Sequence, residues 1–428
     1  MQKPELLCPA GSLKHLEYAF AYGADAVYAG LPRYSLRVRN NRFDAASLKT
    51  GIDRAHALSK RFYLVVNIQP HNSKLATFIN DMTPLLALGP DALIMSDPGL
   101  IMLVRQHFPD MAIHLSVQAN AINYASVQFW ASQGIERVIL SRELSLDEIA
   151  EIRQHCPAME LEVFVHGALC MAHSGRCLLS GYINQRDPNQ GTCTNACRWS
   201  YRTAPAIEDS CGQLALAEPQ QMLIEDVSRP GQWLAAEEDQ HGSYIFNSKD
   251  LRAVQHVARL TAMGVHSLKI EGRTKSHYYV ARTAQIYRQA IDDAAAGKPF
   301  DEQYLSELEH LANRGYTEGF LQRHRPQALQ NYHTGAPASA HQFVGEILSG
   351  KQQQLTVAVK NRFAVGDQLL LVTPSGNHPF TLTQLANQHG APIDVAPGDG
   401  HQVVLTLPFS CPPTSYALLV RLGEAPCP

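Results

Sequence analysis

Four of the nine cysteines of the chain lie within one stretch, CMAHSGRCLLSGYINQRDPNQGTCTNACRW, which begins at Cys170. Six residues separate Cys170 from Cys177, fifteen separate Cys177 from Cys193, and three separate Cys193 from Cys197. Cysteine thiolates are soft ligands that bind zinc or iron–sulfur clusters. Structural zinc sites usually have two closely spaced pairs, and only the second pair here is closely spaced. Because four cysteines can hold a cluster at wider spacing, the pattern favours an iron–sulfur cluster, with zinc as the alternative.

Disulfides and buried cysteines without a metal are the other interpretations of this stretch. Nine is an odd number, which is atypical of a disulfide framework. The first residues, MQKPELLCPAG, contain no apolar segment of the secretory kind. No apolar run approaches the roughly 18 residues that span a bilayer. We therefore expect a cytoplasmic protein that does not enter the membrane, in a compartment where clustered cysteines bind metals or react rather than form disulfides.

The composition is that of a globular protein. The chain has 428 residues, of which 45% are hydrophobic and 18% are charged, and this is enough for a large domain and a smaller one. The net charge of −3 does not indicate a nucleic-acid binder. Any contact with RNA would therefore need a local basic face.

Short apolar runs alternate with helical patterns through the first 300 residues, which indicates parallel strands joined by helices. Four of the runs follow a glycine that would end the preceding helix in a left-handed conformation: Gly23, Gly89, Gly134 and Gly264. Helices are predicted over 12–23, 145–155 and 276–297, the second opening with Ser145 and Glu148 at the spacing of a capping box. The eight predicted strands lie at about 5–8, 26–29, 62–67, 92–95, 112–117, 137–141, 161–165 and 266–270. Eight such units predict a (β/α)₈ TIM-like barrel, with a doubly wound open sheet as the structural alternative.

The remaining segments give the predicted domain organisation. Residues 1–325 form the barrel, and a cysteine-rich insertion at 168–245 follows the seventh strand. Residues 326–341 form a linker. From 342 to 428, short apolar runs separated by turns predict a small antiparallel β-barrel domain. Lys351, Lys360 and Arg362 of this domain are candidate RNA contacts, unless the domain only packs against the barrel.

Polar residues follow the predicted strands, where barrel enzymes place their reactive groups. They are Asn67, Ser96, Asp97, Gln118, Asn120, Arg142, Glu143, His166, Glu271 and Arg273. We predict proton handling by His166 and Glu271 and substrate contacts by Gln118 and Asn120. The alternatives are helix capping and loop hydrogen bonding, and for His166 a support of the cysteine site or a buried structural histidine.

A cluster of arginines follows the second strand in the stretch RYSLRVRNNRF. Its guanidinium groups suit carboxylates and phosphates, which they bind in a bidentate manner. We predict that Arg37, Arg39 and Arg273 bind an anionic group. Arg33 and Arg42 belong to the same cluster as Arg37 and Arg39, and Lys275 lies two residues after Arg273. An ordinary charged surface loop is the alternative.

The motifs of common hydrolases and nucleotide-binding enzymes are missing from the sequence. We find no phosphate-binding loop, dinucleotide fingerprint, HExxH zinc motif or GxSxG elbow. The three-cysteine motif of radical enzymes is missing as well. Peptide hydrolysis by a standard route is therefore not indicated.

The chain resembles the collagenase-like peptidase family, and most closely its tRNA hydroxylation branch. The residues that carry this resemblance are ELLCPAG, GADAVYAGLPRYSLR, LSVQAN, EVFVHGALC, SGRCLLSGY, GTCTNACRW and SLKIEGR. The resemblance implies hydroxylation of the wobble uridine of tRNA to 5-hydroxyuridine, with prephenate or a similar dicarboxylate as co-substrate. It also implies a 4Fe-4S cluster, supplied by the iron–sulfur assembly machinery and held by Cys170, Cys177, Cys193 and Cys197. A metal-dependent peptidase and a zinc-containing tRNA-binding scaffold for another hydroxylase are the alternative functions.

Overall fold

The fold is that of a computed structural model of the chain. It describes the residues 2–36, 42–169, 173, 249–313, 315–322 and 341–423, together with the backbone of short strands between 206 and 243. The predicted linker at 326–341, apart from its last residue, and most of the predicted insertion at 168–245 fall outside this part of the chain.

Strands and helices alternate from the start of the chain, as the sequence predicts. The strands of this first part are β1 (Glu5–Pro9), β2 (Ala26–Ala29), β3 (Arg61–Val66), β4 (Ala92–Met95), β5 (Ile113–Leu115), β6 (Arg137–Ile139) and β7 (Glu160–Ala168). The helices between them are α1 (Leu13–Ala21), α2 (Ala45–Ala57), α3 (Asn72–Leu86), α4 (Pro98–His107), α5 (Tyr124–Ser132) and α6 (Leu146–His155).

Short antiparallel pairs follow β7 before the barrel resumes. They comprise β8 (Ala206–Glu208), β9 (Leu214–Leu216), β10 (Met222–Glu225), β11 (Trp233–Ala236), β12 (Glu238–Asp239) and β13 (Gly242–Ser243). The chain then forms β14 (Asp250–Arg252), α7 (Val257–Ala262), β15 (Ser267–Ile270), α8 (His277–Ala295), α9 (Gln303–Glu309) and β16 (Tyr316–Thr317).

Eight of these strands close into a parallel barrel. β1 to β7 pair in sequence order, and β15 pairs in parallel with both β7 and β1. This closure confirms the TIM-like barrel and excludes the doubly wound open sheet, whose two edge strands would not meet. The β14 strand adds antiparallel to β7, and β16 adds parallel to β14.

The predicted signals at the helix ends are confirmed. Ser145 accepts from the backbone N–H of Glu148, whose carboxylate accepts from the N–H of Ser145, so α6 opens with the capping box. The four predicted glycines have positive φ angles, between +75° and +104°, as a left-handed helix end requires. Asp97 accepts from the N–H of Leu100 at the start of α4, which makes it a helix cap.

The C-terminal part is antiparallel, as predicted. Its elements are β17 (His341–Lys351), β18 (Gln354–Val359), β19 (Phe363–Ala364), β20 (Gln368–Thr373), β21 (Gly376–Thr381), β22 (Leu385–Asn387), β23 (Val395–Ala396), β24 (Gln402–Thr406) and β25 (Leu418–Leu422). Seven of them form one sheet in the order β21-β20-β25-β17-β18-β24-β22.

The antiparallel sheet packs against the barrel through α1 and α8. The Tyr22 hydroxyl lies 3.1 Å from the carbonyl of Val372, and Lys14 donates to Glu346 over 2.6 Å. The rings of Tyr278 and Phe343 stack with their centroids 5.0 Å apart. These contacts lie on the helical wall of the barrel. In the part of the chain that the structure describes, no helix combines the length and the apolar character needed to cross a membrane.

Candidate functional site

The polar residues that follow the strands lie together at the carboxyl end of the barrel. They fall into two groups. The charged group consists of charged side chains after β6 and β15 together with Tyr28 of β2, and the neutral group follows β3, β4 and β5. The members of the charged group are Tyr28, Arg142, Glu271 and Arg273, and those of the neutral group are Asn67, Ser96, Ser116 and Gln118.

The charged group is centred on the carboxylate of Glu271. The Nη2 atom of Arg142 lies 3.7 Å from Glu271 Oε2, and the hydroxyl of Tyr28 lies 3.3 Å from the same oxygen. The guanidinium of Arg142 lies 3.8 Å above the ring of Phe164, which is a cation–π contact. The side chain of Glu271 is 18% exposed, so the carboxylate remains within reach of solvent or a ligand.

Arg273 adds a second cation to this group. Its Nη1 atom donates to the hydroxyl of Ser35 over 2.6 Å, and its guanidinium carbon lies 5.7 Å from the centre of the Tyr28 ring. The side chain is buried, whereas an ordinary charged surface loop would leave it in water. Buried cations with planar forks suit carboxylate or phosphate ligands.

The neutral group is a chain of hydrogen bonds across three neighbouring strands. The backbone N–H of Leu36 donates to Asn67 Oδ1 over 3.1 Å, and Asn67 Nδ2 lies 3.5 Å from Ser116 Oγ. Ser116 Oγ donates in turn to Gln118 Oε1 over 3.4 Å. The Ser96 hydroxyl supports the chain by donating to the carbonyl of Asn67. These residues present amide and hydroxyl groups, without a net charge, to the same end of the barrel.

A network of buried charges fills the barrel beneath this site. Lys269 Nζ donates to Glu162 Oε1 over 2.8 Å, and Arg137 Nη1 lies 3.2 Å from Glu162 Oε2 and 2.6 Å from Glu5 Oε1. Burial opposes the charge on Glu162, but Lys269 and Arg137 outweigh it and hold the pKa of this carboxyl below its usual value. The ammonium of Lys269 also lies 4.4 Å from the centre of the Tyr28 ring.

Sequence analysis missed Lys269, Glu162 and Arg137. The signal was a charged residue inside the apolar runs LEVFV and SLKI and at the start of RVIL. Alternate residues of a barrel strand face the interior, so the charges of neighbouring strands meet there. Tyr28 and Ser35 were also missed, although both lie within segments that carried the family resemblance.

His166 lies close to the site but faces a different environment. Its Nδ1 atom is 3.4 Å from the Tyr287 hydroxyl and its Nε2 atom is 3.5 Å from the Tyr316 hydroxyl. The two phenol protons point elsewhere, to the carbonyls of Val165 and Leu308. Burial lowers the pKa of His166 to about 3, so the imidazole is neutral near pH 7. A proton-handling role therefore remains a prediction, and it would have to use the neutral imidazole.

Gly167 of β7 lies directly against the backbone of Glu271, the residue that follows β15. The φ angle of Gly167 is +108°, and a Cβ atom at this position would lie 2.5 Å from the carbonyl oxygen of Glu271. Only glycine fits both the backbone conformation and the space. This close approach brings the end of β7 next to Glu271. Since Cys170 follows two residues after Ala168, the chain leaves the barrel toward the cysteine stretch beside the charged group.

Several predicted residues lie outside the described part of the chain. They are Cys170, Cys177, Cys193, Cys197, Arg37 and Arg39. Their roles remain predictions. Within the described residues, no group of three or more His, Cys, Asp or Glu side chains could hold a metal ion.

Other predicted residues have local partners. Arg33 pairs with Asp81 over 3.0 Å at the surface, and Lys275 Nζ donates to the carbonyl of Ala312. Glu143 accepts from the hydroxyl of Ser141. Asn120 ends the short 3₁₀ turn that carries Gln118 and has the left-handed φ angle of +52°. Its predicted substrate contact remains untested.

Two family models match the chain, one over the barrel part and one over the C-terminal antiparallel part. Residues 11–331 match the model of peptidase family U32, and residues 339–421 match that of the family's C-terminal domain. The chain is 62% identical to tRNA hydroxylation protein P of Escherichia coli strain K12, over 98% of this chain and 97% of that protein. It is 60% identical to the protein of the same name from Haemophilus influenzae, over 98% and 96%.

A more distant relative acts on a different RNA. The chain is 30% identical to the 23S rRNA 5-hydroxycytidine C2501 synthase of Escherichia coli, over 85% of this chain and 52% of that protein. The family models together cover most of the chain, and the first two relatives align over nearly its whole length. The chain therefore belongs to peptidase family U32.

Proposed function

We propose that this protein hydroxylates tRNA, converting the wobble uridine to 5-hydroxyuridine with prephenate or a similar dicarboxylate as co-substrate. The observation that carries the proposal is the 62% identity, over nearly the full length of both chains, with a relative named tRNA hydroxylation protein P. The 5-hydroxycytidine synthase adds support because its name describes hydroxylation of another pyrimidine in RNA. A metal-dependent peptidase is the alternative that the family's name suggests, but the sequence contains neither an HExxH zinc motif nor a GxSxG elbow.

The proposal assigns a 4Fe-4S cluster to Cys170, Cys177, Cys193 and Cys197. The donor set fits such a group, because four thiolates are the usual ligands of a cubic iron–sulfur cluster. The position of β7 supports the assignment, since Ala168 lies beside the charged group and only one residue separates it from Cys170. When bound, the cluster would supply redox chemistry next to the substrate. Iron–sulfur assembly proteins would then be partners of the chain.

The residues of the charged group would bind and orient the anionic co-substrate. Arg273 would offer its guanidinium to a carboxylate group, and Arg142 would add positive charge beside Glu271. Arg37 and Arg39 would add cations from the neighbouring loop or contact tRNA phosphates. Glu271 would hold or accept a proton at its carboxylate, which the Tyr28 hydroxyl and Arg142 position. The neutral group of Asn67, Ser116 and Gln118 would contact an uncharged part of the substrate.

The test is nucleoside analysis of tRNA. Bulk tRNA from a strain that lacks the gene should contain less 5-hydroxyuridine than tRNA from the parent strain. Expression of the chain should restore the content of the parent strain. Restoration should fail when Cys170 is replaced by serine. Loss of the nucleoside in the deletion strain without any effect of C170S would separate the reaction from the cluster. An unchanged 5-hydroxyuridine content in the deletion strain would contradict the proposed function.

The cluster has its own test in the protein purified without oxygen. We expect about four irons per chain, as four cysteines holding a cubic cluster require, with a brown colour and broad visible absorption. A colourless protein that contains zinc and is fully active would contradict the cluster and favour the scaffold with structural zinc. Peptide hydrolysis that survives air and needs a metal would instead favour a peptidase.

A further inference from the structure

Gln118 is a buried amide with an unused donor. Its side chain is 2% exposed, and its Nε2 atom has no hydrogen-bond partner among the described residues. A buried NH₂ group without a partner costs free energy, so such groups are usually paired in native proteins. The position of Gln118, directly after β5 at the carboxyl end of the barrel, places this donor where a substrate binds in barrel enzymes.

In the structure, a chain of hydrogen bonds behind Gln118 orients its amide. The N–H of Leu36 can only donate, so the atom of Asn67 that faces it must be the acceptor Oδ1. Asn67 then points its NH₂ group at Ser116 Oγ, which is left with its own proton to donate to Gln118 Oε1. The Oε1 atom is therefore occupied, and Nε2 is the group that remains for a ligand.

We infer that Gln118 is a specificity-determining residue, whose Nε2 donates to the carbonyl oxygen at position 4 of the target pyrimidine and so selects uridine over cytidine. This inference rests on the proposed function. Uracil has a carbonyl acceptor at this position, whereas cytosine has an amino group. A second NH₂ group facing Gln118 Nε2 would leave two buried donors without an acceptor. Carbon 4 is bonded to carbon 5, so the group that reads it lies next to the atom to be hydroxylated.

The distribution of charge favours the base over the co-substrate as the partner of Gln118. The cations that the structure describes at this end of the barrel have other partners, since Arg142 contacts Glu271 and Arg273 donates to Ser35. A carboxylate would bind beside these cations. The group of Asn67, Ser116 and Gln118 has no charge, and an uncharged amide suits the uncharged edge of a base that has been turned out of its stack.

The experiment compares two transcripts of one tRNA that differ only in uridine or cytidine at the target position. The protein is purified without oxygen, and kcat/KM is measured for hydroxylation of each transcript. In Q118M the donor is lost without burial of a charge, and we expect kcat/KM for uridine to fall roughly 10- to 100-fold while the preference for uridine weakens. In S116A the Gln118 amide is free to turn and present Oε1, so the preference should weaken with a smaller loss of rate. Q128M, at an exposed position of α5, should leave both values unchanged.

Other results would overturn the inference or contradict the proposed function. Full uridine activity and an unchanged preference in both Q118M and S116A would overturn the inference. A rise in KM for prephenate alone would overturn it too, because Gln118 would then contact the carboxylate. A wild-type protein that hydroxylates neither transcript would contradict the proposed function instead. Competition binding of the two transcripts would then decide the inference. The wild type should prefer the uridine transcript, and Q118M should lose this preference. A wild type that binds both transcripts equally would overturn the inference.

Discussion

Arg142 connects the carboxylate of Glu271 to the end of the strand that leads to the cysteine stretch. Its Nη2 atom lies 3.7 Å from Glu271 Oε2, and its Nη1 atom donates to the carbonyl of Ala168 over 3.2 Å. One planar guanidinium thus holds the predicted acid–base group and the backbone two residues before Cys170. The relative position of the two proposed functional groups depends on this side chain.

Replacing Arg142 by lysine should therefore impair the reaction while the charge is kept. A lysine has no planar fork and cannot make both contacts at once. We expect kcat/KM for tRNA hydroxylation to fall roughly 10- to 100-fold, the usual effect of losing an interaction that orients a reacting group. R153K is the matched control, because Arg153 contacts carbonyls before β7 at the opposite end of the barrel. Equal activity of R142K and R153K would show that Arg142 is not needed for positioning.

Replacing Gly167 by alanine should disturb the same region through the backbone. The added Cβ would lie 2.5 Å from the carbonyl oxygen of Glu271, which cannot move without shifting β15. G89A is the control, since Gly89 also has a positive φ angle, +79°, but has no heavy atom within 4 Å of the same Cβ. G89A should cost about 1 kcal/mol in the free energy of unfolding. G167A should cost more and also reduce hydroxylation; equal melting temperatures of the two variants would exclude the clash.

The buried pair of Lys269 and Glu162 should contribute strongly to stability when one partner is removed. K269M leaves the Glu162 carboxylate buried with Arg137 as its remaining cation, and we expect a loss of about 3–5 kcal/mol. The double variant K269M/E162Q should recover part of this loss, because no uncompensated charge remains. K49M removes one partner of an exposed pair with Asp53 and should cost less than about 0.5 kcal/mol. A double variant less stable than K269M would contradict this account of the network.

His166 should make stability depend on pH in the acidic range. Its pKa is about 3 in the folded protein, compared with a usual value of 6.5. Between these values the unfolded chain binds a proton that the folded protein does not bind, so the stability falls as the pH is lowered from 6.5 toward 3. His166 contributes a slope of about 1.4 kcal/mol per pH unit in this window. H166Q should have a flatter dependence of the unfolding free energy on pH, and an unchanged slope would show that His166 is protonated in the folded state.

The position of the strands and helices was predictable because hydrophobic periodicity and end signals act locally. Eight apolar runs predict the eight barrel strands, and Ser145 with Glu148 predicts the start of α6. The face to which His166 turns was not predictable. The pairing of β15 with β7 shifts between Lys269 and Ile270, so that Ile270 lies opposite His166 rather than Val165. Such a bulge changes the side to which the next residue points, and it depends on contacts with another strand.

Part of the candidate site was also predictable, because some of its residues lie next to the predicted strands in the sequence. Glu271, Arg273 and Gln118 come directly after strands, so the rule that barrel sites lie at strand ends finds them. The pairing of Lys269 with Glu162 requires the register between two strands 107 residues apart in the sequence. The free donor of Gln118 depends on the orientation of Asn67 and Ser116. The orientation of Asn67 comes from contacts with Leu36 and Ser116, which are distant in the sequence.

The most direct test of the account is the reaction itself with purified components. The protein, purified without oxygen and with its cluster intact, is incubated with unmodified tRNA and prephenate, and the nucleosides are analysed by mass spectrometry. We predict one added oxygen atom on the target uridine, in the wild type and not in C170S. A protein with a full complement of iron that leaves the uridine unmodified, while the same tRNA is hydroxylated in cells without this gene, would contradict the account.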